Sequence, residues 1–191
     1  MKLHILIRKV GALSLGGVLC LLGFVSSTDG SKGRDDPLRY FPALREARQA
    51  EDRLSSEARS ALESTANRAG VRYRGARLGG RSIAGGWWIV PARRGLCLVH
   101  DSGLTASAAC VPTRRARSGR LLMFQVEAGE TTVWGAVPGS RTKVALVLRG
   151  TSRTIEVCSN SFRATTSDPA ILRITLPDRQ VRFPVPRSAD H

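Results

Sequence analysis

Three consecutive residues, His100-Asp101-Ser102, carry the side-chain types of a nucleophilic triad. A triad is defined in space, and its members rarely come from consecutive positions, so the run reads first as a turn between two strands. Gly80-Arg81-Ser82-Ile83-Ala84 approximates the G-x-S-x-G elbow but ends in Ala and lacks the apolar strand that such an elbow follows. The remaining histidines are His4, near the start, and the terminal His191. A histidine-based hydrolase therefore has one internal candidate, His100, with Ser102 or Ser82 as nucleophile. That is the alternative reading; the main reading assigns no catalytic residue.

Cys97 and Cys110 fall in neighbouring predicted strands of a hairpin-like unit. Outside the cytoplasm they would form a disulfide if the strands hold their Cα atoms about 5.5 Å apart. Cys158 is left over and reads as a buried free thiol in the strand containing Ile155 and Val157. Cys97, His100 and Cys110 could be metal ligands, but no CxxC or HxxxH spacing supports a zinc site. Gly79-Gly80 and Gly85-Gly86 match no phosphate-binding glycine loop. No cofactor is expected. Glu127 and Glu130 flank Gly129, and a body this poor in acids and aromatics is a weak candidate for sugar cleavage.

The basic residues form the other constellation. Thirty Lys+Arg face fifteen Asp+Glu, a formal net charge of +15, and 26 of the thirty are Arg. They cluster as Arg93-Arg94 and as Arg114, Arg115, Arg117 and Arg120. Such a surface attracts anionic polymers, anionic headgroups or nucleic acid through unspecific attraction. An Arg-heavy, Ala- and Gly-rich chain also arises from base composition alone. Trp87-Trp88, if in a strand, would point to opposite faces. One is expected in the core; the other would be exposed or cover an edge, and could stack on a ligand or sit at a membrane interface.

Those residues need elements to hold them. Lys2, Arg8 and Lys9 precede an uncharged run, Val10 to Val25, and the polar Ser26-Ser27-Thr28 follows. This is the layout of a secretory signal over 1–27; with His4 to Ile7 added, residues 5–26 could instead be a retained anchor. The positive flank lies before the run, so the C-terminal body belongs outside. Residues 28–41 read as a linker. Leu44, Ala47, Ala50, Leu54, Ala58 and Leu62 recur at helical spacing among alternating charges, which predicts a charged helix over 42–67. After Gly70 short β-type runs alternate with turns: Trp87–Val90, Leu96–Val99, Ala108–Val111, Leu121–Val126, Thr131–Gly135, Lys143–Arg149, Arg153–Val157, Ile171–Leu176 and Gln180–Val185. Their length and spacing predict an antiparallel β-sandwich-like domain over 71–188. The fold class is thus mainly β: a signal or anchor helix, one short charged helix, then the β domain. Nineteen of the basic residues and seven acids lie in 71–191, so the excess belongs to that domain.

Residues 86–164 resemble a group of small exported actinobacterial proteins of unknown function. The likeness is carried by Gly86-Trp87-Trp88-Ile89-Val90-Pro91, the Cys97 and Cys110 strands, Gly135-Ala136-Val137-Pro138 and Asn160-Ser161-Phe162. Pro138-Gly139 lacks the group's acidic turn residue, and Arg149-Gly150-Thr151-Ser152 replaces its D-G-S turn. The resemblance implies export, a β fold and the Cys97–Cys110 bond, and no activity. The expectation from sequence is an exported, non-enzymatic binding module of the cell envelope. Its partners would be an anionic envelope polymer, anionic lipid headgroups or a membrane protein. A basic nucleic-acid-binding protein is the last alternative and is disfavoured by export.

Overall fold

A computed structural model describes residues 17–19, 36–66, 70–83 and 85–187. The chain is mainly β. Its strands are β1 (Gly17–Leu19), β2 (Arg77–Ser82), β3 (Gly85–Ala92), β4 (Gly95–Asp101), β5 (Ala106–Pro112), β6 (Leu121–Glu127), β7 (Glu130–Ala136), β8 (Lys143–Leu148), β9 (Thr151–Ile155), β10 (Ser161–Thr166), β11 (Ile171–Thr175) and β12 (Gln180–Pro184). Among the described residues two short helices, α1 (Ser56–Ala66) and α2 (Thr113–Arg117), accompany the strands together with a few 3-10 turns.

The strands form three four-stranded sheets, in the orders β2-β3-β4-β5, β1-β6-β7-β10 and β12-β11-β8-β9. Every pairing is antiparallel. The β6-containing sheet is central and buried on both faces. Leu122, Phe124 and Val133 pack with Val144, Leu146, Leu172 and Ile174 of the β8-containing sheet. Their neighbours Leu121, Met123 and Trp134 pack the other way, against Ile89, Leu96 and Leu98. Alternate residues of a strand face opposite sides, so a strand covered on both sides reads as an unbroken apolar run such as Leu121-Leu122-Met123-Phe124. The far face of the first sheet offers Trp88, Val90, Cys97 and Val99 to Leu54, Ala58 and Leu62, which α1 and the residues before it supply.

The helix predicted over 42–67 is shorter than its periodicity suggested. Only Ser56–Ala66 is α-helical; Pro37–Arg39, Pro42–Arg45 and Ala50–Asp52 are separate 3-10 turns. Side chains stop the longer helix. Asp52 is buried, and its carboxylate accepts the Gln49 and Leu78 backbone N–H groups, both at 2.7 Å. Ser55 then caps α1 by accepting the Ala58 N–H at 3.0 Å. Phe41 and Leu44, upstream, are buried in the core with Trp87 and Trp134. The end of the expected linker is therefore part of the packed body.

Three strands, β1, β2 and β10, fall outside the nine runs that the sequence predicts. β2 contains Gly79-Gly80, where a Cβ would stand 2.6 and 2.4 Å from the Trp87 ring. The glycines let the indole lie flat on the strand, and a bulge accompanies them. Of the N-terminal segment, Gly17–Leu19 pairs with Phe124–Val126 on the β6 edge. The rest of the expected signal or anchor, over 1–27, lies outside the described residues. Among the described residues no helix is long and apolar enough to cross a membrane.

Candidate functional site: an arginine-rich end of the first sheet

The two arginine clusters, separate in sequence, meet at one end of the first sheet. Arg93 and Arg94 form the two-residue turn between β3 and β4, closed by the Ala92–Gly95 pair. Gly95 also pairs with Pro112, the last residue of β5. There the chain turns into α2, and the Thr113 N–H donates to the Arg94 carbonyl at 3.2 Å. The short α2 then presents Arg114, Arg115 and Arg117, followed by Arg120. The Arg72 N–H donates to Pro91 O, and the Arg93 N–H to Gly70 O, which adds Arg72 and Arg74 to this side.

The guanidinium groups differ in how they are held. Arg117 lies 4.3 Å from the Tyr40 ring and donates to its hydroxyl at 3.0 Å, so its position is fixed by an aromatic platform. Arg115 is half-buried, while Arg93, Arg94, Arg114 and Arg120 are exposed. The ion pairs seen among the described residues, Arg77–Asp52 and Arg179–Asp178, do not involve Arg93, Arg94, Arg114 or Arg120. Glu63 accepts the Tyr73 hydroxyl at 3.3 Å between Arg72 and Arg74, whereas three acids lie at the opposite strand ends, Asp101 closing β4 and Glu127 and Glu130 flanking the β6–β7 turn. Along β4 this separation is roughly 20 Å, more than twice the screening length at physiological salt. An array of guanidinium groups suits phosphate or carboxylate, whose paired oxygens it can engage bidentately.

The remaining predicted residues are placed as follows. Cys97 and Cys110 are directly paired across β4 and β5 and form a disulfide, with Cα atoms 4.0 Å apart. It lies in the cluster covered by α1. A disulfide suggests an oxidising, extracytoplasmic setting. Compared with family models, curated proteins and solved structures, the chain matches none.

Trp87 and Trp88 do face opposite sides, but neither is exposed: they are 8% and 4% accessible. The expected exposed aromatic is corrected because the first sheet is covered on both faces. Trp87 donates its indole N–H to Ser161 Oγ at 3.1 Å, and Trp88 donates to the Glu51 carbonyl at 3.1 Å. His100, Asp101 and Ser102 are not brought together. His100 is buried and stacks on Trp134 with ring centres 4.1 Å apart. Asp101 points to the other face and accepts from Ser55 Oγ at 2.5 Å and Gly103 N at 2.8 Å. The Ser102 hydroxyl bonds within its own turn, to Thr105. Ser82, at the end of β2, pairs with Gly85 in the neighbouring hairpin turn.

Cys158 is also corrected. It is free and exposed, because β9 ends at Ile155 and the chain turns through Ser159 and Asn160 at positive φ. Its thiol donates to Glu156 Oε1 at 3.3 Å. That hydrogen bond first, then partial burial and the Glu156 charge, push the Cys158 thiol pKa up. Among the described residues no group of His, Cys, Asp and Glu is placed to hold a metal ion. A cleft of about 310 Å³ lies beside Asp52 and Arg77. Its polar groups serve the backbone: Arg77 donates to the Ala76 and Glu46 carbonyls.

Proposed function

We propose that this chain is an exported, non-enzymatic envelope protein whose arginine-rich sheet end binds an anionic polymer. One observation carries the reading: the β3–β4 turn and α2 bring Arg93, Arg94, Arg114 and Arg120 to the same end, with no acid among the described residues in an ion pair with them. Export is supported by the basic start and apolar run of the N-terminus, with the body outside. The buried disulfide fits the same compartment. The layered antiparallel body acts as a rigid support that holds the arginines at fixed spacing. The partner is a repeating anion rather than a single small ligand, because the guanidinium groups are spread over a hairpin turn and a short helix at the end of the sheet.

The test is binding of the full chain to polyphosphate and to polygalacturonate, as phosphate- and carboxylate-bearing probes, across a salt series. Binding should weaken steeply with salt. Replacing Arg93, Arg94, Arg114 and Arg120 together by Ala should weaken it on the order of tenfold to a hundredfold, since exposed pairs contribute about 0.2–1 kcal/mol each. Arg149→Ala, in the distant β8–β9 turn, serves as the control. Salt-insensitive binding, or equal binding by the fourfold variant, overturns the reading.

A further inference from the structure

The end of the first sheet opposite the arginines carries a second unusual surface. Ile83 and Leu104 are 108% and 91% accessible, whereas Ile171, the other exposed large apolar residue described, is 42%. Single exposed aliphatic residues are ordinary. These two differ because they stand side by side on neighbouring hairpin turns. Ser82 pairs with Gly85, Gly86 with Asp101, and Asp101 with Ala106, so both turns leave the sheet at one end. The turns touch: a Cβ on Gly85 would lie 2.0 Å from Asp101 O and 2.7 Å from Ser102 Cα.

The Leu104 turn is rigid. Gly103 N donates to Asp101 Oδ1 at 2.8 Å, Ser102 N to Thr105 O at 3.0 Å, and Thr105 N to Ser102 Oγ at 3.2 Å. The fold thus holds an aliphatic side chain in water that a slightly different turn could have turned inward. We propose that Ile83 and Leu104 insert together into the outer surface of a lipid bilayer, seating the body on the membrane by this end. The two side chains are presented as separate points on hairpin turns, which suits a deformable medium better than a preformed protein pocket. The uncharged turn residues Ser82, Ser102 and Thr105 can pass the headgroups at little cost. Asp101 is held inward by Ser55 and Gly103 and is 8% accessible. Glu57, on the first turn of α1, is exposed and feels the Asp101 charge. Arg81 is exposed just behind the tips, its guanidinium 5.9 Å from the Trp88 ring. The far strand ends also carry the exposed Glu127 and Glu130, so the seating rests on the two aliphatic tips rather than on charge.

This inference is independent of the polymer reading and uses the opposite end of the sheet. The test uses the full chain in vesicles of phosphatidylcholine with phosphatidylglycerol, with Cys20→Ser and Cys158→Ser as background. A polarity-sensitive fluorophore is placed at Ile83→Cys, at Leu104→Cys, or at the exposed control Ser140→Cys. Acyl chains carrying bromine should quench the first two probes and leave the control unchanged. Adding Leu104→Ser should weaken the seating of the probe at position 83 about tenfold, the order expected when one aliphatic side chain is withdrawn from lipid. Absent quenching at the tips, or equal quenching at Ser140→Cys, overturns the proposal. So does shielding of both probes without vesicles, which would mean that a second protein surface covers them. Polyphosphate binding by the same variants reads the arginine end separately.

Discussion

The Asn160 carboxamide oxygen accepts the backbone N–H of Ala43 at 2.9 Å, across 117 positions of sequence. The same side chain donates to the Val137 and Gly139 carbonyls at 3.2 and 3.4 Å. One buried residue thus ties the 3-10 segment before α1 to the turn after β7 and to the start of β10. Asn160 also has a φ of +61°, a region that Asn tolerates better than most residues.

Asn160→Gly keeps that backbone freedom and removes the three hydrogen bonds. It should cost about 1–3 kcal/mol, since buried backbone groups are left unpaired. Asn160→Ala should cost a further ~1 kcal/mol from the left-handed conformation. Urea unfolding of the two variants separates the contributions; equal midpoints to the parent chain would remove Asn160 as a tie.

Removing the disulfide with Cys97→Ala and Cys110→Ala should destabilise the chain by about 3 kcal/mol, from the entropy regained by the unfolded loop. Denaturant midpoints of the two chains measure this directly. A shift under a third of that size would show that unfolded-state structure already constrains the loop.

Access to that bond is controlled by α1. Cys97 and Cys110 share a buried cluster with Leu54, Ala58 and Leu62. Leu62→Ala should cost about 2–5 kcal/mol of local packing and speed reduction of the disulfide by a small thiol under native conditions. An unchanged reduction rate would mean that the thiol reaches the bond without lifting the helix.

Cys158 should react slowly with iodoacetamide near neutrality, because its bond to Glu156 holds the thiol proton. The pH midpoint of alkylation should lie above that of a free thiol, about 8.5. Glu156→Gln should bring it down. The folded chain holds this proton more tightly than the unfolded chain. The associated stability is therefore complete below the unfolded thiol's pKa and is lost as pH rises through the folded value. A midpoint unmoved by Glu156→Gln would contradict this account.

How much of this was legible in the sequence depends on range. Strands with clean alternation or dense apolar runs, such as Leu121–Glu127 and Lys143–Leu148, were visible from local pattern. β2 was not, because Gly79 and Gly80 serve a ring that arrives from the next strand. β10 was not, because Ser161 and Asn160 look like turn residues and their partners Trp87, Gly79 and Ala43 are far away. Helical spacing over 42–67 was locally sound and lost to the buried carboxylate of Asp52. The arginine clusters were seen singly. Their convergence follows from the Gly95–Pro112 register, which no local pattern contains. The tips were hidden for the opposite reason: Ile83 and Leu104 have the composition of core residues.

The Cys97–Cys110 bond turns residues 97–110 into a covalent ring that encloses the β4–β5 turn with Leu104. A chain held at its N-terminus and pulled at its body would carry tension through the sulfur bridge and around this ring. Roughly 45 Å of contour would be withheld from extension. The lipid-seating loop would then keep its local shape under a load that had already peeled neighbouring strands apart.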